Sequence, residues 1–142
     1  MPGKIQFFSE GCDFQPKYPL KIKSWLKEII KSEGFGLGDL NYIFCRDEVL
    51  LQMNQEYLDH DTLTDIITFD TSETEGELSG DIFISIDRVK ENGEKFRTGL
   101  SDELHRVMAH GVLHLCGYGD KTAKQKSVMR EKEAACLSLR KF

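Results

Sequence analysis

The sequence predicts the α+β fold class, with one domain of α/β type in which a single sheet packs against helices. Three observations support this prediction. The chain has 142 residues, a length that suits one domain with its own core. Its composition, 39% hydrophobic and 30% charged, is that of a globular protein. Strand-like apolar runs alternate with helical periodicity and no linker interrupts them, so we expect residues 1–142 to form that domain.

The chain is expected to begin with a strand and a helix. Residues 5–8 form a short apolar run that is typical of a strand. A helix is predicted from Tyr18 onward, because Pro19 suits a first helical turn and Gly34 can end the helix in the left-handed conformation. Its buried face is predicted from apolar residues at helical spacing, namely Ile22, Trp25, Leu26, Ile29 and Ile30.

The middle of the chain predicts three strands and one helix. Residues 41–45 are rich in strand-forming side chains, and the acidic pair at 47–48 is favourable at the start of a helix. Residues 64–69 are a further strand candidate. In residues 78–86 the isoleucines alternate with other residues, as in a strand with two different faces. Residues 70–79 are the most loop-like stretch of the chain.

After these strands, the pattern is helical. Asp87 is the predicted cap of a helix over residues 88–97, in which Gly93 is an unfavourable position. Ser101 is the predicted cap of the next helix, because acidic residues follow it in the first turn. Gly117 is the natural end of that helix.

A capping box predicts the last helix. Thr122 and Gln125 have the spacing at which each side chain can bind the other's backbone N–H. We expect this helix to continue to about Leu139. The predicted order is therefore strand, helix, strand, helix, two strands and then helices.

Composition also excludes several classes of protein. The chain has no apolar run long enough to cross a membrane, and its N-terminus does not resemble a signal peptide. The net charge of −5 argues against non-specific coating of nucleic acid, and we expect no DNA partner. The four cysteines form no C-x-x-C pair, which indicates free thiols in the cytoplasm: Cys12, Cys45, Cys116 and Cys136.

The segment from His110 to Asp120 has the spacing of a metal site. His110 and His114 lie four residues apart, so on a helix both imidazoles can reach one ion. Gly117 lets the chain turn back, and Asp120 can then supply a third ligand. Three protein ligands leave a position for water, as in catalytic zinc sites. Zn²⁺ suits this set best, although Ni²⁺, Co²⁺ and Mn²⁺ are compatible with it; the alternative is two ordinary polar residues on a helix.

Three neighbours of these ligands bear on the chemistry. Gly111 stands where zinc proteases of the H-E-x-x-H type carry their catalytic glutamate, which argues against peptide hydrolysis. Arg106 lies one turn before His110 and is predicted either to meet a phosphate near the metal or to form a surface ion pair. His105 points about 140° away from His110 and is expected at the surface or behind the metal ligands.

Three segments of the chain resemble conserved motifs of the YbeY family, the bacterial endoribonucleases of rRNA maturation. Residues 110–120 resemble the family pattern, which reads approximately H-G-x-L-H-L-x-G-Y-D-H. Residues 53–69 are similar to the pattern L-N-x-x-Y-R-x-x-D-x-P-T-D-V-L-S-F, and residues 78–85 to L-G-D-I-x-I-S. The motifs occur in the family's order, and the order of elements extends the resemblance to nearly the whole chain.

The resemblance implies a mixed four-stranded sheet with about five helices, and one zinc ion per chain held in a cleft by a metalloprotease-like helix. It also implies cleavage of single-stranded RNA, with roles in 16S rRNA 3′-end processing and ribosome quality control. The implied partners are the small ribosomal subunit and its associated proteins. Two of the departures from the family pattern bear on function: Asp120 replaces a ligand that is usually histidine, and Leu58 replaces an arginine implicated in RNA cleavage.

The mechanism predicted from these residues has three parts. The metal polarises a water molecule or a phosphate oxygen. Arg106 or Lys121 neutralises charge on the phosphoryl group, and His60 transfers a proton, since its ordinary pKa is near neutrality. Phe69 and Tyr118 are candidates for stacking on unpaired bases or, alternatively, for packing in the core.

Two other functions compete with this prediction. The protein could be a non-catalytic ribosome-assembly factor that binds rRNA around a structural metal, an interpretation that Leu58 favours. It could also be a metallopeptidase-like hydrolase, against which Gly111 argues.

Overall fold

The computed structural model describes residues 3–57 and 64–142 and contains the predicted mixed four-stranded sheet. The strands are β1 (Lys4–Ser9), β2 (Gly36–Cys45), β3 (Ile66–Asp70) and β4 (Glu77–Ser85). Their order is β1-β2-β4-β3; β1, β2 and β4 are parallel, and β3 runs antiparallel to β4. All four predicted strands are therefore confirmed, and β2 begins five residues earlier than its strand-forming run.

Five helices lie within the described residues, as expected. They are α1 (Pro19–Ser32), α2 (Asp47–Tyr57), α3 (Ile86–Lys95), α4 (Leu100–Leu115) and α5 (Ala123–Ser138). The Thr122–Gln125 capping box is present, and Gly34 and Gly117 have φ values of 86° and 108° at the ends of α1 and α4. The predicted starts and ends of α1 and α5, and the end of α4, are thus confirmed.

The two faces of the sheet carry different layers. Alternate residues of β2 and β4, among them Tyr42 and Ile82, are fully buried in the main core with α1 and α4. The Tyr42 hydroxyl donates a hydrogen bond to the Met108 carbonyl at 2.8 Å and ties α4 to the sheet. On the other face, Leu50 of α2 packs with Ile67 of β3 in a smaller cluster. Helix α4 is therefore an interior helix that contacts the sheet, α1, α3 and α5.

Two predicted helix caps are wrong. Helix α3 is capped by Ser85, whose side chain accepts from the Arg88 N–H, because β4 passes directly into the helix. Asp87 instead accepts from the Asp47 N–H at the start of α2. Helix α4 begins after Gly99, at a φ of 86° that favours glycine, and no side chain caps it.

His105 is buried against two aromatic rings, whereas helical spacing predicted a position at the surface or behind the metal ligands. It is only 8% exposed, between the rings of Trp25 and Phe142, whose centroids lie 5.6 and 5.3 Å from its own. Arg140 donates a hydrogen bond to its Nδ1 at 2.8 Å. Burial, with a smaller contribution from the Arg140 charge, lowers the pKa of His105 to about 4.

The four cysteines are free thiols, two of them buried, as the absence of paired motifs predicted. Among the helices of the described residues, none combines the length and apolar composition that a membrane span requires.

We expect His105 to make folding sensitive to pH. The unfolded chain protonates this residue near its ordinary pKa of 6.5, and the folded protein only near 4. The free energy of unfolding should therefore fall as the pH decreases through this range, by on the order of 3 kcal/mol in total. Denaturant unfolding of the wild type and of His105→Asn between pH 4 and 7 would measure the difference; parallel curves would contradict the burial of a neutral imidazole.

Position 93 requires glycine for packing, although glycine is unfavourable inside a helix. A Cβ atom there would lie 2.8 Å from the carbonyl oxygen of Gly99, in the turn before α4. Although alanine is the better helix former, we expect Gly93→Ala to destabilise the protein by about 1–2 kcal/mol, because backbone must move. Glu94→Ala, at the exposed neighbouring position, is the matched control. Thermal unfolding decides the sign, and a more stable Gly93→Ala would contradict this packing.

Candidate metal centre

The three predicted metal ligands meet at the C-terminal end of α4. His110 and His114 lie one helical turn apart, with ring centroids separated by 4.5 Å. The Oδ2 atom of Asp120 is 3.4 Å from Nε2 of His110 and 3.2 Å from Nε2 of His114. One donor atom of each residue lies within 4.8 Å of the others, so all three can bind one ion. Two imidazoles and one carboxylate are a donor set that fits a divalent transition metal.

The turn that carries Asp120 is fixed by contacts with two helices. After Gly117, the Tyr118 hydroxyl donates to Oε1 of Glu33 at 2.6 Å. Lys132 of α5 donates to the other carboxylate oxygen of Glu33 at 3.2 Å and lies 5.3 Å from the centre of the Tyr118 ring. Hydrogen bonding to Glu33 raises the pKa of Tyr118, which keeps the phenol a donor. Tyr118 therefore positions the metal-binding turn.

A buried carboxylate on α5 supports one of the ligands. Oε2 of Glu133 lies 2.6 Å from Nδ1 of His110, and Glu133 is only 6% exposed. Because an ionised carboxylate can only accept, Nδ1 of His110 donates this hydrogen bond, and Nε2 is directed towards His114 and Asp120, where it can bind a metal ion. The contact therefore selects the ring tautomer and orientation that metal binding requires.

The two hydrogen-bond partners of Glu133, His110 and Arg106, keep its carboxylate ionised. Burial by itself raises the pKa of this carboxyl group, but the hydrogen bond with His110 and the charge of Arg106 outweigh burial and hold the pKa below its ordinary value. Arg106 donates to Oε1 of Glu133 at 3.2 Å. Glu133 is consequently ionised at neutral pH and acts as an acceptor for His110.

Arg106 lines the site, but buried carboxylates surround it. It donates to both carboxylate oxygens of Glu103, at 3.0 and 2.6 Å, and Glu103 is 2% exposed. The guanidinium also lies 3.7 Å from Oδ2 of Asp65. The hydrogen bonds that Arg106 donates to Glu103, opposed in part by burial, raise the pKa of Arg106, so it stays charged. Burial raises the pKa of Asp65, and the nearby Arg106 charge only partly offsets this.

The metal ligands open into a cleft with a volume of about 740 Å³. One wall is the segment 64–69, which includes most of β3. The remaining walls are His110, His114, Asp120, Arg106, Lys121 and Asn54. A cleft of this size can hold several groups of a polymeric ligand beside the metal site.

The structure brings most of the predicted site residues together. Arg106 and Lys121 both line the cleft beside the three ligands. Phe69 also lines it, with its ring packed edge-on against Phe83 at 5.9 Å. Tyr118 does not line the cleft. His60, and the departure at Leu58, lie outside the described residues.

Gly111 faces the sheet and not the cleft. A Cβ atom at this position would lie 3.0 Å from the Cδ1 atoms of both Ile66 and Ile82. A glutamate side chain has no room there, so the residue after His110 cannot serve as the general base that it provides in the zinc proteases. The packing thus agrees with the expectation that peptide hydrolysis is not the reaction.

Sequence reasoning missed Glu133, Glu103 and Asp65. A signal for Glu133 was present, since it shares a helical stripe with Met129 and Cys136, both of which are buried. A carboxylate on an otherwise apolar stripe indicates a buried charge that needs a partner. That the partner is His110, 23 residues away, follows only from how α5 packs on α4.

Comparison with known proteins agrees with this arrangement. The family model of endoribonuclease YbeY matches residues 5–140. The chain is 58% identical over 138 residues to the endoribonuclease YbeY of Cytophaga hutchinsonii, covering 97% of this chain and 96% of that protein. It is 48% identical over 132 residues to that of Flavobacterium psychrophilum, covering 93% and 94%. The solution structure of TM1509 from Thermotoga maritima superimposes with a TM-score of 0.63 at 30% identity, covering 95% and 87%.

We expect Glu133→Gln to weaken metal binding. The amide is a weaker acceptor than a carboxylate and no longer favours the proton on Nδ1 of His110, so zinc affinity should fall about 10- to 100-fold. Competition with a chromogenic chelator measures this affinity directly. Glu131→Gln, an exposed position on the same helix, is the matched control. Equal affinities for the two variants would contradict the role of Glu133.

Proposed function

The chain belongs to the endoribonuclease YbeY family, and from this membership we propose that it is a zinc-dependent endoribonuclease that cleaves single-stranded RNA in rRNA maturation. The observation that carries the proposal is the convergence of His110, His114 and Asp120 in the lining of a cleft of about 740 Å³. Metal-assisted hydrolysis needs both an open metal site and room for the substrate beside it.

Zinc is proposed as the metal because of the donor types. Imidazole nitrogen and carboxylate oxygen are both common zinc ligands, and three protein ligands leave a position open. The bound ion would supply Lewis acidity to a phosphate oxygen or to a water molecule. His110 and His114 are well placed to hold the ion, since Glu133 orients the first and the helix spacing orients the second.

Three further residues have proposed roles in catalysis. Lys121 lines the cleft at the end of the metal-binding turn and forms no ion pair within the described part of the chain, so its ammonium group is available to a phosphate. Arg106 contributes positive potential at the cleft wall while it holds Glu133 in place. His60 is proposed as the proton-transfer group on its chemistry alone, because its ordinary pKa lies near neutrality.

We propose the cellular role of the protein from its family membership. We place the activity in the cytoplasm, in 16S rRNA 3′-end processing and ribosome quality control, with the small ribosomal subunit and its proteins as partners. We also propose that residues 1–142 act as one domain, which the family match over residues 5–140 supports.

One other function retains a specific observation in its favour. Leu58 stands where the family pattern has arginine, so a basic group at that point of the chain is lost. A non-catalytic assembly factor that binds rRNA around a structural metal would tolerate that loss. A structural metal contributes to folding, whereas a catalytic metal need not, and this difference separates the two functions.

We expect His114→Ala to lose zinc and RNA cleavage while it keeps its fold. Loss of a ligand should cost more than the 10- to 100-fold typical of a supporting residue, so cleavage should fall by at least about 100-fold. The measurements are elemental zinc content, far-UV circular dichroism and cleavage of a single-stranded oligoribonucleotide. Glu131→Gln again serves as the control for handling and folding.

The outcomes distinguish the functions. Loss of zinc together with unfolding would indicate the structural metal of an assembly factor. Wild-type protein that binds zinc stoichiometrically but leaves the RNA intact would contradict the endoribonuclease proposal.

A further inference from the structure

Strand β3 is an edge of the sheet, and its outer side faces the metal cleft. It pairs with β4 on one side only, and within residues 3–57 and 64–142 no strand pairs with its other side. Residues 64–69 form a wall of the same cavity as the metal ligands. The outer edge of β3 is therefore a row of backbone donors and acceptors that runs beside the metal site.

The hydrogen-bond pattern shows which backbone groups face outward. The Ser85 N–H donates to the Asp65 carbonyl at 2.9 Å, and the Thr71 N–H donates to the Ser79 carbonyl at 3.1 Å. In an antiparallel ladder, bonded pairs alternate with non-bonded pairs, so Asp65, Ile67, Phe69 and Thr71 direct their backbone groups towards β4. The groups of the intervening residues, 66 and 68, point to the cleft.

The outward groups are polar but uncharged. The Ile66 carbonyl accepts from the Thr64 hydroxyl at 3.2 Å, which leaves the Ile66 N–H and both backbone groups of Thr68 facing the cleft. The cationic side chains that line the cleft are Arg106 and Lys121, and Arg106 is already bound by Glu103 and Glu133. A ligand along β3 thus meets neutral hydrogen-bonding groups rather than cations.

The outward groups of Thr68, one donor and one acceptor, suit nucleobases better than phosphates. Phosphate oxygens only accept hydrogen bonds, whereas base edges carry both donors and acceptors. The outward groups of Ile66 and Thr68 lie two residues apart, which is about 7 Å along a strand. This is about twice the 3.4 Å rise per nucleotide of a stacked double helix, so two adjacent bases can reach both groups only when they are unstacked.

We propose that the outer edge of β3 is the base-binding subsite of the endoribonuclease, where the main-chain groups of Ile66 and Thr68 hydrogen-bond to the bases of single-stranded RNA. This inference rests on the proposed function and deepens it. The phosphate to be cleaved then lies towards His110, His114 and Lys121, on the other side of the same cleft. Single-strand preference follows from the edge itself, because the Watson–Crick edges of the bases are already paired in a duplex and are free only in single-stranded RNA.

The decisive variant removes one outward N–H and no ladder bond. Thr68→Pro deletes the N–H that faces the cleft, and proline is tolerated on an edge strand where its nitrogen faces outward. Thr68→Ala deletes the side chain but keeps the N–H, so the ratio between the two variants isolates the backbone donor. Replacing Thr68 by its α-hydroxy acid removes the same N–H without the proline ring, should the ring perturb folding.

The measurement is the Kd of the zinc-loaded protein for a fluorescent, 2′-O-methylated single-stranded oligonucleotide that resists cleavage. Thr68→Pro should bind about 3- to 10-fold more weakly than Thr68→Ala, and the hydroxy-acid variant should bind more weakly than wild type by a similar factor. Zinc content should be the same in all four proteins. The dependence of Kd on salt should also be unchanged, because no charge is removed. On a cleavable RNA, the effect should appear in KM more than in kcat.

Failure of this inference and failure of the proposed function give different results. Equal Kd values for folded Thr68→Pro and Thr68→Ala, and for the hydroxy-acid variant and wild type, would overturn the base-binding subsite and leave the endoribonuclease assignment standing. Wild type that binds RNA through Thr68 but does not cleave it would overturn the activity alone. A third result is that wild type does not bind RNA but binds an extended peptide, with the same dependence on position 68. The edge of β3 would then be a peptide-binding site, and this proposal would be wrong.

Discussion

The hydrogen bond between Glu133 and His110 joins the metal site to the core. It connects α5 to α4 and fixes the ring that would hold the ion. Glu133 also binds Arg106, which in turn binds Glu103, so two nearly inaccessible carboxylates share one guanidinium. Ionised groups can remain inside a protein only when each has its partners. The site is therefore part of the interior packing and not an addition to its surface.

Close approach between α4 and the sheet determines where that site opens. A Cβ at Gly111 would crowd Ile66 and Ile82, and a Cβ at Gly80 would lie 2.8 Å from a methyl group of Leu115. Because both positions are glycine, the helix lies directly on β3 and β4. The two histidines flank this contact on α4 and face a cleft that β3, the edge strand of the described sheet, also lines. One packing arrangement thus produces both the ligand cluster and the surface along which a substrate can lie.

The sequence predicted what depends on local geometry and missed what depends on distant partners. His110, His114 and Asp120 were predictable because helix spacing and one glycine turn bring them together over eleven residues. The prediction that Asp87 caps α3 was wrong. Ser85 is both the last residue of β4 and the cap of α3, and local propensity does not show that a strand passes into a helix without a loop. His105 was expected at the surface or behind the ligands because only its angle to His110 was known. That angle could not show that Trp25 of α1 and Phe142 cover its ring. Glu133, by contrast, carried a signal, a carboxylate on a buried stripe, but not the identity of its partner.

X-ray absorption spectroscopy at the zinc edge of the loaded wild-type protein tests the central claim most directly, since it reports the ligand atoms of the metal. We predict a first shell of nitrogen and oxygen at about 2.0–2.2 Å, with the multiple-scattering pattern of two imidazoles. The first shell should contain no sulfur, although Cys116 follows His114 by two residues. A shell that contains sulfur at about 2.3 Å, or a single imidazole, would contradict the assignment of His110, His114 and Asp120 as the ligands.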